Sequence, residues 1–372
     1  IKRWLTPEEV NLLGDRETLK AQGLNLENEP VRYYPEGQLA AHVLGFVNRE
    51  RIGGEGIEAL YDSTLQGKQG MRVARKDAKR TLLLSQTLDY EPPRKGDNIC
   101  LTIDAALQNS LEKELDAVIE RTGAEHASGV FLDPQTGAIL AMANRPAFDP
   151  NNYWDWPDEN RVNRVLVDVF EPGSSFKLVT AAAALEEQLI TPDTPINCEG
   201  GAYRFYNLRV IRDVHRMGVA PFRECFAESS NIAMIKVANM VGDIDFEQWI
   251  RRFGFGEPTG CGYKPESGGI LLPRSKWSKL SMIALPLGQE VAVTILQLAR
   301  AYAAVANGGF LVKPYLVERI ENAEGGAVFI HNPEPPTRIL HEETAEVLRE
   351  LCHEVVTNGT GRYANIPEYR VG

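Results

Sequence analysis

The sequence predicts an α+β fold in which a small N-terminal α+β module precedes a larger domain, an antiparallel sheet flanked by helices. The 372 residues exceed the usual size of a single domain. Two short apolar runs, 129–132 and 138–142, are separated by turn-forming residues, which predicts a β-hairpin. Longer apolar and amphipathic stretches after the hairpin predict helices. We therefore expect two domains in which helices pack against strands.

The composition is that of a globular protein with an acidic balance. Hydrophobic residues make up 43% and charged residues 24%, and the formal net charge is -11. This charge argues against a nucleic-acid partner, because phosphate binding requires clustered positive charge. No run approaches the roughly 18 to 20 apolar residues that cross a bilayer. The cysteines are odd in number and widely spaced, and they predict neither a disulfide framework nor a compartment: Cys100, Cys198, Cys225, Cys261 and Cys352.

The first module is predicted to occupy residues 1–95. The segment 6–19 opens with Thr, Pro and two Glu, which predicts a helix with an N-cap and acidic residues in its first turn. Glycine-rich segments follow, and the run 71–74 predicts a short strand. Consecutive prolines and a glycine within 92–96 end any regular element, so the boundary is placed near residue 95.

The larger domain, 96–372, is predicted to begin with a strand at 99–103. Asp104 is expected to cap a long amphipathic helix over 105–121. The hairpin follows, with its turn at 133–137. Further helices are predicted at 174–188, 222–241, 245–253, 293–307 and 342–357.

The pattern Ser-x-x-Lys occurs twice, in Ser110-Leu-Glu-Lys113 and in Ser174-Ser-Phe-Lys177. This spacing places a hydroxyl and an amine on one helix face, where the amine can accept the hydroxyl proton and create a nucleophile. Ser110 lies within an amphipathic helix among charged residues, which predicts a solvated surface pair. The context of Ser174 therefore decides whether the second pair performs chemistry.

Ser174 follows Glu-Pro-Gly and precedes an almost wholly apolar segment, 178–185, so it lies where a buried helix begins. A helix N-terminus offers free N–H groups to an oxyanion, and burial lowers the pKa of Lys177 toward that of a usable base. From this segment alone a structural interpretation stays open, in which Ser174 only caps the helix and Lys177 extends to solvent.

A second motif is Ser229-Ser230-Asn231, the single Ser-x-Asn in the chain, which taken alone is typical of a cap or turn. Ser-x-x-Lys, a Ser-x-Asn type element and Lys-Thr-Gly form the set found in β-lactamases and penicillin-binding proteins. The phrase Phe170-Glu-Pro-Gly-Ser-Ser-Phe-Lys177, followed by Ser229-Ser230-Asn231, resembles the class B penicillin-binding proteins, and their division-associated branch more than the elongation branch. The resemblance also covers Arg32-Tyr-Tyr-Pro35, His42-Val-Leu-Gly45, Gly56-Ile-Glu58, Leu101-Thr-Ile-Asp104, Asp133-Pro-Gln-Thr-Gly137, Gly288-Gln289, Thr294-Ile-Leu-Gln297 and Ala306-Asn-Gly-Gly309.

The resemblance implies a transpeptidase domain of the penicillin-binding and β-lactamase-like fold behind a pedestal module, without a cofactor or metal. Ser174 would attack the D-Ala-D-Ala carbonyl of a peptidoglycan stem peptide, with Lys177 as proton acceptor, and β-lactams would acylate the same serine. Ser229 would relay a proton to the leaving amine, and Asn231 would hydrogen-bond Lys177 and the substrate. Two further residues are expected to contact substrate: Gly173 and Ser230.

The third motif of this family, Lys-Thr-Gly, is absent from the 372 residues. In the family it lies on a strand that binds the substrate carboxylate and supplies the second oxyanion donor. We expect this strand to be missing after Gly372, which predicts weak or no activity for the chain as written. The resemblance also implies an extracytoplasmic location on the periplasmic face, an anchoring N-terminal helix upstream, and two kinds of partner, a membrane glycosyltransferase and divisome proteins.

Other conspicuous residues have simpler interpretations. The six histidines lack metal-ligand spacing, so no metal site is predicted. Arg32 and Glu58 are expected to pair within the first module. Trp154 and Trp156 either line the cleft or pack in an exposed aromatic loop.

Three alternatives to a transpeptidase remain at this point. A soluble β-lactamase would be shorter, lack the first module and deacylate quickly. A D,D-carboxypeptidase would use the same residues with water as the acceptor. A β-lactam sensor or a non-catalytic scaffold would bind the antibiotic or recruit partners with little catalysis.

Overall fold

The computed structural model describes residues 5, 7–26, 29–76, 82–205 and 209–372. The first module contains short helices and one antiparallel strand pair: α1 (Pro7–Leu12), α2 (Arg16–Ala21), α3 (Ala41–Leu44), α4 (Gly56–Leu60), α5 (Asp62–Leu65), β1 (Met71–Lys76) and β2 (Leu82–Glu91). The strand predicted at 71–74 is confirmed as part of β1. The single helix predicted at 6–19 is wrong, because Gly14 takes φ +87 and the Asp15 carboxylate starts a new helix by capping α2. The predicted cap at Thr6 lies outside the described residues.

The larger domain alternates helices with short strands. Its elements are β3 (Asn98–Leu101), α6 (Ala105–Thr122), β4 (Ala127–Leu132), β5 (Ile139–Arg145), α7 (Arg164–Val167), α8 (Lys177–Glu186), β6 (Pro195–Asn197), β7 (Ala202–Phe205), β8 (Arg209–Arg212), β9 (Val219–Pro221), α9 (Phe222–Ala227), α10 (Asn231–Val241), α11 (Asp243–Arg252), β10 (Ile270–Leu271), α12 (Ser281–Ala284), β11 (Val291–Ala292), α13 (Ile295–Ala306), β12 (Phe310–Leu311), β13 (Val317–Glu321), β14 (Ala327–Ile330), β15 (Thr337–Arg338) and α14 (Glu342–Thr357). Asp104 caps α6 as predicted, accepting from two amides of its first turn.

The strands form antiparallel sheets that helices cover on both faces. β4 pairs with β5 in the predicted hairpin, and β3, β13 and β14 form a neighbouring antiparallel sheet in the order β14-β13-β3. Ala141 and Ala143 of β5 pack against Leu111 of α6. Met142 points to the other face and clusters with Leu296 of α13. The predicted antiparallel sheet flanked by helices is therefore confirmed.

The core is centred on α8, whose residues 178–184 are between 0% and 2% exposed. A helix that is apolar on every side must be surrounded by protein, and α8 packs among α10, α11 and α14. Its alanines carry small side chains, which lets neighbouring helices approach closely. The buried helix α8 therefore supports the residues of its first turn rigidly.

The helix predicted at 222–241 is wrong, because the chain breaks between α9 and α10. Ser229 takes φ +57, and the Ser230 amide donates to the Cys225 carbonyl at 2.9 Å, which closes a tight turn. Ser230 then accepts from the Ala233 amide as the N-cap of α10. The break thus falls on the Ser-x-Asn motif.

Polar contacts join the first module to the larger domain around buried His42. His42 Nε2 donates to the Asn160 carbonyl at 2.8 Å, and Tyr263 Oη donates to the His42 carbonyl at 2.5 Å. Burial lowers the pKa of His42 to about 4. The ion pair predicted between Arg32 and Glu58 is confirmed, with Nε and Oε1 2.6 Å apart.

The aromatic loop before the Ser174 segment packs on the first module. Tyr153 stacks on Phe46 with ring centroids 3.8 Å apart, and Trp156 contacts the same cluster. The guanidinium of Arg49 lies 4.8 Å from the ring centroid of Trp154. Loop packing, rather than a place in the cleft, therefore accounts for both tryptophans. Within the ranges given above, no helix has the length and apolarity that crossing a membrane requires.

Candidate active site

Ser174 lies on the exposed turn that leads into the buried helix α8. A 3₁₀ turn, Gly173–Phe176, continues directly into α8, and the Lys177 amide donates to the Ser174 carbonyl. The Ser174 hydroxyl is exposed and has no hydrogen-bond partner among the residues that the structure describes. The first amides of a helical turn have no intrahelical acceptor, so the Ser174 amide is the donor that this turn can offer beside the hydroxyl. The predicted nucleophile is therefore accessible to a substrate.

Two neighbouring segments hold the turn that carries Ser174. Gly173 has φ +57, and its amide donates to Gly288 O at 3.1 Å. Gly288 has φ +71, and a Cβ there would lie 2.2 Å from Gly173 O, so only glycine fits. From α13, Tyr302 Oη donates to Ser175 O at 2.9 Å. The Gly173 amide is used within the protein and its carbonyl lies against Gly288, so the contact of Gly173 with substrate stays a prediction.

Lys177 is buried, with 3% of its surface exposed, and its ammonium group has three acceptors. Nζ donates to Ser229 O at 2.6 Å, to Ser229 Oγ at 2.9 Å and to Asn231 Oδ1 at 2.8 Å. The alternative in which Lys177 extends to solvent is therefore wrong. The structure brings three of the predicted catalytic residues into direct contact, one helical turn from Ser174.

The environment of Lys177 favours loss of a proton. Burial lowers its pKa to about 8, and the carboxylate of Asp213 opposes that shift. About one molecule in ten then carries the neutral amine at pH 7. A neutral Lys177 can accept a proton from a hydroxyl, whereas the fully bonded ammonium cannot. The site is therefore poised for general base chemistry near neutral pH.

The backbone at Ser229 is held in a conformation that serine adopts at a cost. A positive φ in a residue other than glycine costs on the order of 1 kcal/mol or more and often marks a functional site. At Ser229 it turns both the carbonyl and the hydroxyl toward Lys177 Nζ. This geometry supports the predicted participation of Ser229 in proton transfer.

Ser230, the middle residue of the motif, faces the interior and is 1% exposed. Its hydroxyl donates to Asp213 Oδ2 at 2.7 Å and accepts from the Ala233 amide at 3.1 Å. This placement favours a structural role for the Ser230 side chain over the substrate contact expected from the sequence.

Asp213 is the residue of this site that sequence reasoning missed. Its Oδ1 accepts from the amides of Asn231 at 2.6 Å and Ile232 at 3.1 Å, in addition to the bond from Ser230. It lies directly after β8 and 16 positions before Ser229, and no motif links residues at that spacing. Only the folded chain shows the contact.

The second Ser-x-x-Lys pair has none of these features. Ser110 is exposed on α6, and its hydroxyl donates to the Ala106 carbonyl of its own helix at 2.9 Å. Lys113 is also exposed. This pair is the solvated surface pair that the sequence predicts.

Two cysteines lie behind the Ser-x-Asn motif. Cys198 and Cys225 are both fully buried as free thiols, with Sγ atoms 3.6 Å apart, and Ser230 Oγ is 3.4 Å from Cys198 Sγ. In the described part of the chain, no group of three or more His, Cys, Asp or Glu side chains is arranged to hold a metal ion.

Comparison with known protein families accounts for both parts of the chain. Residues 1–101 match the penicillin-binding protein dimerisation domain, and residues 127–372 match the penicillin binding protein transpeptidase domain. Among curated relatives, Stage V sporulation protein D of Bacillus subtilis is 32% identical over 99% of this chain. Peptidoglycan D,D-transpeptidase FtsI of Escherichia coli is 31% identical over 95% of this chain. The chain spans 58% of the length of each of these relatives.

Solved structures show the same fold. The crystal structure of penicillin binding protein 3 from Mycobacterium tuberculosis, complexed with aztreonam, superposes with a TM-score of 0.81 at 29% identity. That match covers 91% of this chain and 73% of the other. The complex of the same protein with ampicillin gives a TM-score of 0.80. With its dimerisation domain, its transpeptidase domain and this geometry around Ser174, the chain belongs to the class B penicillin-binding proteins.

Proposed function

We propose that the protein is a peptidoglycan D,D-transpeptidase in which Ser174 forms the acyl-enzyme. One observation carries this proposal: an exposed serine lies one helical turn from a buried lysine whose three hydrogen bonds all go to Ser229 and Asn231. Family membership supports it, because curated relatives are named as peptidoglycan D,D-transpeptidases.

In the first half-reaction Ser174 Oγ attacks the carbonyl carbon between the two D-alanines of a stem peptide. Neutral Lys177 accepts the serine proton, and the Ser174 amide stabilises the oxyanion. The peptide C–N bond then breaks, and the terminal D-Ala leaves as an amine that receives the proton through Ser229. In the second half-reaction an amine of another stem peptide attacks the ester, which forms the cross-link and regenerates Ser174.

The biological setting is part of the same proposal. Similarity to the peptidoglycan D,D-transpeptidase FtsI supports a role in septal wall synthesis. We infer an extracytoplasmic location, an N-terminal membrane anchor, and work beside a membrane glycosyltransferase and divisome proteins. Two similar structures were solved as complexes with aztreonam and with ampicillin, which supports β-lactams as inhibitors that acylate Ser174.

A stem-pentapeptide donor tests this function when it is offered to the intact protein with and without an amine acceptor. A transpeptidase gives a cross-linked product that depends on Ser174 and on the acceptor. Release of D-Ala with water as the only acceptor would identify a D,D-carboxypeptidase instead. Rapid turnover of penicillin would identify a β-lactamase, and the absence of any product or acyl-enzyme would leave a sensor or scaffold.

A further inference from the structure

The Asp213 carboxylate lies behind the Ser-x-Asn motif and is fully engaged by it. One oxygen accepts the Ser230 hydroxyl, and the other accepts the amides of Asn231 and Ile232. These are the first amides of α10, where a negative charge is stabilised by the helix dipole. A carboxylate with three donors fixes their relative positions more firmly than a single cap does.

This carboxylate also sets where Asn231 points. The backbone amide of Asn231 donates to Asp213. Its side-chain Nδ2 donates to Arg212 O at 3.2 Å, and its Oδ1 accepts from Lys177 Nζ at 2.8 Å. Both ends of the asparagine side chain are therefore held, and its Oδ1 is directed at the lysine. Loss of the Asp213 bonds would free the start of α10 and the two motif residues that hold Lys177.

Asp213 acts on Lys177 through charge as well as through position. It is the charged group whose field raises the pKa of Lys177 against the effect of burial. Other charged side chains near Asp213 and on α10 pair with partners of their own. His215 pairs with Glu228 at 4.0 Å, and Lys236 pairs with Glu199 at 2.7 Å. Next to the Ser174 turn along the chain, the Glu171 carboxylate accepts from the Glu290 amide.

We propose that Asp213 is a positioning residue of the transpeptidase site, which fixes the Ser-x-Asn motif on Lys177 and places a negative charge behind that motif. The inference rests on the proposed function, since it concerns the same acylation step. The Asp213 carboxylate is bonded to Ser230, Asn231 and Ile232 and not to Ser174, so its effect reaches the reaction through the Ser-x-Asn motif and Lys177.

Two substitutions separate charge from position. Asp213→Asn removes the negative charge and keeps an oxygen for the amides of α10. Asp213→Glu keeps the charge and displaces the carboxylate by one methylene. Glu228→Gln is the matched control, because it removes one negative charge beside the motif from a side chain that makes no bond to Lys177, Ser230 or Asn231.

The readout is the second-order rate of acylation of the intact protein by a fluorescent penicillin between pH 5.5 and 9.5, with folding checked by the melting temperature. In the wild type the rate should rise with pH as Lys177 loses its proton. Asp213→Asn should move this rise about 0.5 to 1 pH unit lower, because the ammonium loses its counter-charge. It should also lower the plateau roughly 10- to 100-fold, because the motif is displaced.

Asp213→Glu should lower the plateau and leave the pH of the rise in place, and Glu228→Gln should follow the wild type. The proposal is overturned if folded Asp213→Asn has the wild-type plateau and pH profile, or if Asp213→Glu and Glu228→Gln move the rise as far as Asp213→Asn does. Failure of the wild type to be labelled at Ser174 would instead reject the proposed function, so the two failures are distinguishable.

Discussion

Burial gives Lys177 a chemistry that the same residue lacks at the surface. Lys113 stands in the same Ser-x-x-Lys spacing on the exposed face of α6. Lys177 is enclosed, has a pKa lowered to about 8 and donates to three acceptors of the Ser-x-Asn turn. Spacing therefore brings an amine near a hydroxyl in both pairs, and the environment decides which amine can act as a base.

Replacement of this lysine tests its role as the base. We expect Lys177→Met to lower the rate of acylation by penicillin by roughly 10²- to 10⁴-fold, the usual contribution of a positioned general base. Lys113→Met is the matched control and should retain the wild-type rate. Stopped-flow fluorescence with a labelled penicillin measures both. A Lys177→Met variant that reacts within a few-fold of the wild type would show that another group takes the Ser174 proton.

The residues predicted from motifs were those whose chemistry depends on local spacing. Ser174 with Lys177, and Ser229 with Asn231, each lie within one turn of chain, so their sequence context was informative. Asp213 was missed, because its contacts with the motif depend on how the β7–β8 segment folds back onto α10. No periodicity in the sequence encodes such a contact.

At the scale of elements, the site depends on the turn that leads into α8, which carries Ser174, and on the break between α9 and α10, which carries the Ser-x-Asn motif. The sequence predicted one continuous helix at 222–241, and it could not show that Ser229 takes a positive φ. The long amphipathic helix α6 and the hairpin were predicted correctly, because each has a cap or turn signal at its ends. The segment that departs from its local propensity is the one that carries the motif.

Contact between Gly288 and the Ser174 turn gives a second prediction. Gly288→Ala should lower both stability and acylation, because its Cβ would lie 2.2 Å from Gly173 O in a left-handed backbone conformation. We expect a loss of about 1 kcal/mol from the backbone and about 1 to 3 kcal/mol more from the clash.

Gly123→Ala provides the control for Gly288→Ala. Gly123 has nearly the same backbone angles, φ 68 and ψ 22 against φ 71 and ψ 32, but a Cβ there has nothing within 4 Å. It should therefore show the backbone cost alone, with unchanged acylation. Urea unfolding and penicillin labelling measure the two effects. If Gly288→Ala and Gly123→Ala lost equal stability and kept equal acylation rates, the Ser174 turn would tolerate a displaced Gly173 carbonyl.

At the scale of the whole molecule, the two modules meet through buried polar contacts as well as apolar ones. Glu112 of α6 accepts the Ala40 amide at 2.9 Å and also pairs with Arg145 at 3.2 Å. His42 joins the carbonyl of Asn160 to the hydroxyl of Tyr263. Because buried polar groups must keep their partners, this junction fixes the relative orientation of the modules.

The junction should weaken in acid through His42. Its pKa is lowered from 6.5 to about 4 on folding, so the unfolded chain binds more protons between these values and stability falls as the pH falls through that window. Between pH 7 and pH 5 the wild type should lose about 2 kcal/mol more unfolding free energy than His42→Gln does.

Chemical denaturation at several pH values measures this difference. The exposed His126→Gln is the control and should keep the full pH dependence of the wild type. If His42→Gln loses as much stability as the wild type over this range, protonation of His42 does not govern the junction.

The most direct test of the account is the site of covalent attachment of penicillin. The intact protein is treated with benzylpenicillin, its mass is measured, and the modified peptide is mapped by tandem mass spectrometry. We predict one adduct per molecule, located on Ser174, lost in Ser174→Ala and retained in Ser110→Ala. An adduct on any other residue, or full labelling of folded Ser174→Ala, would contradict the account.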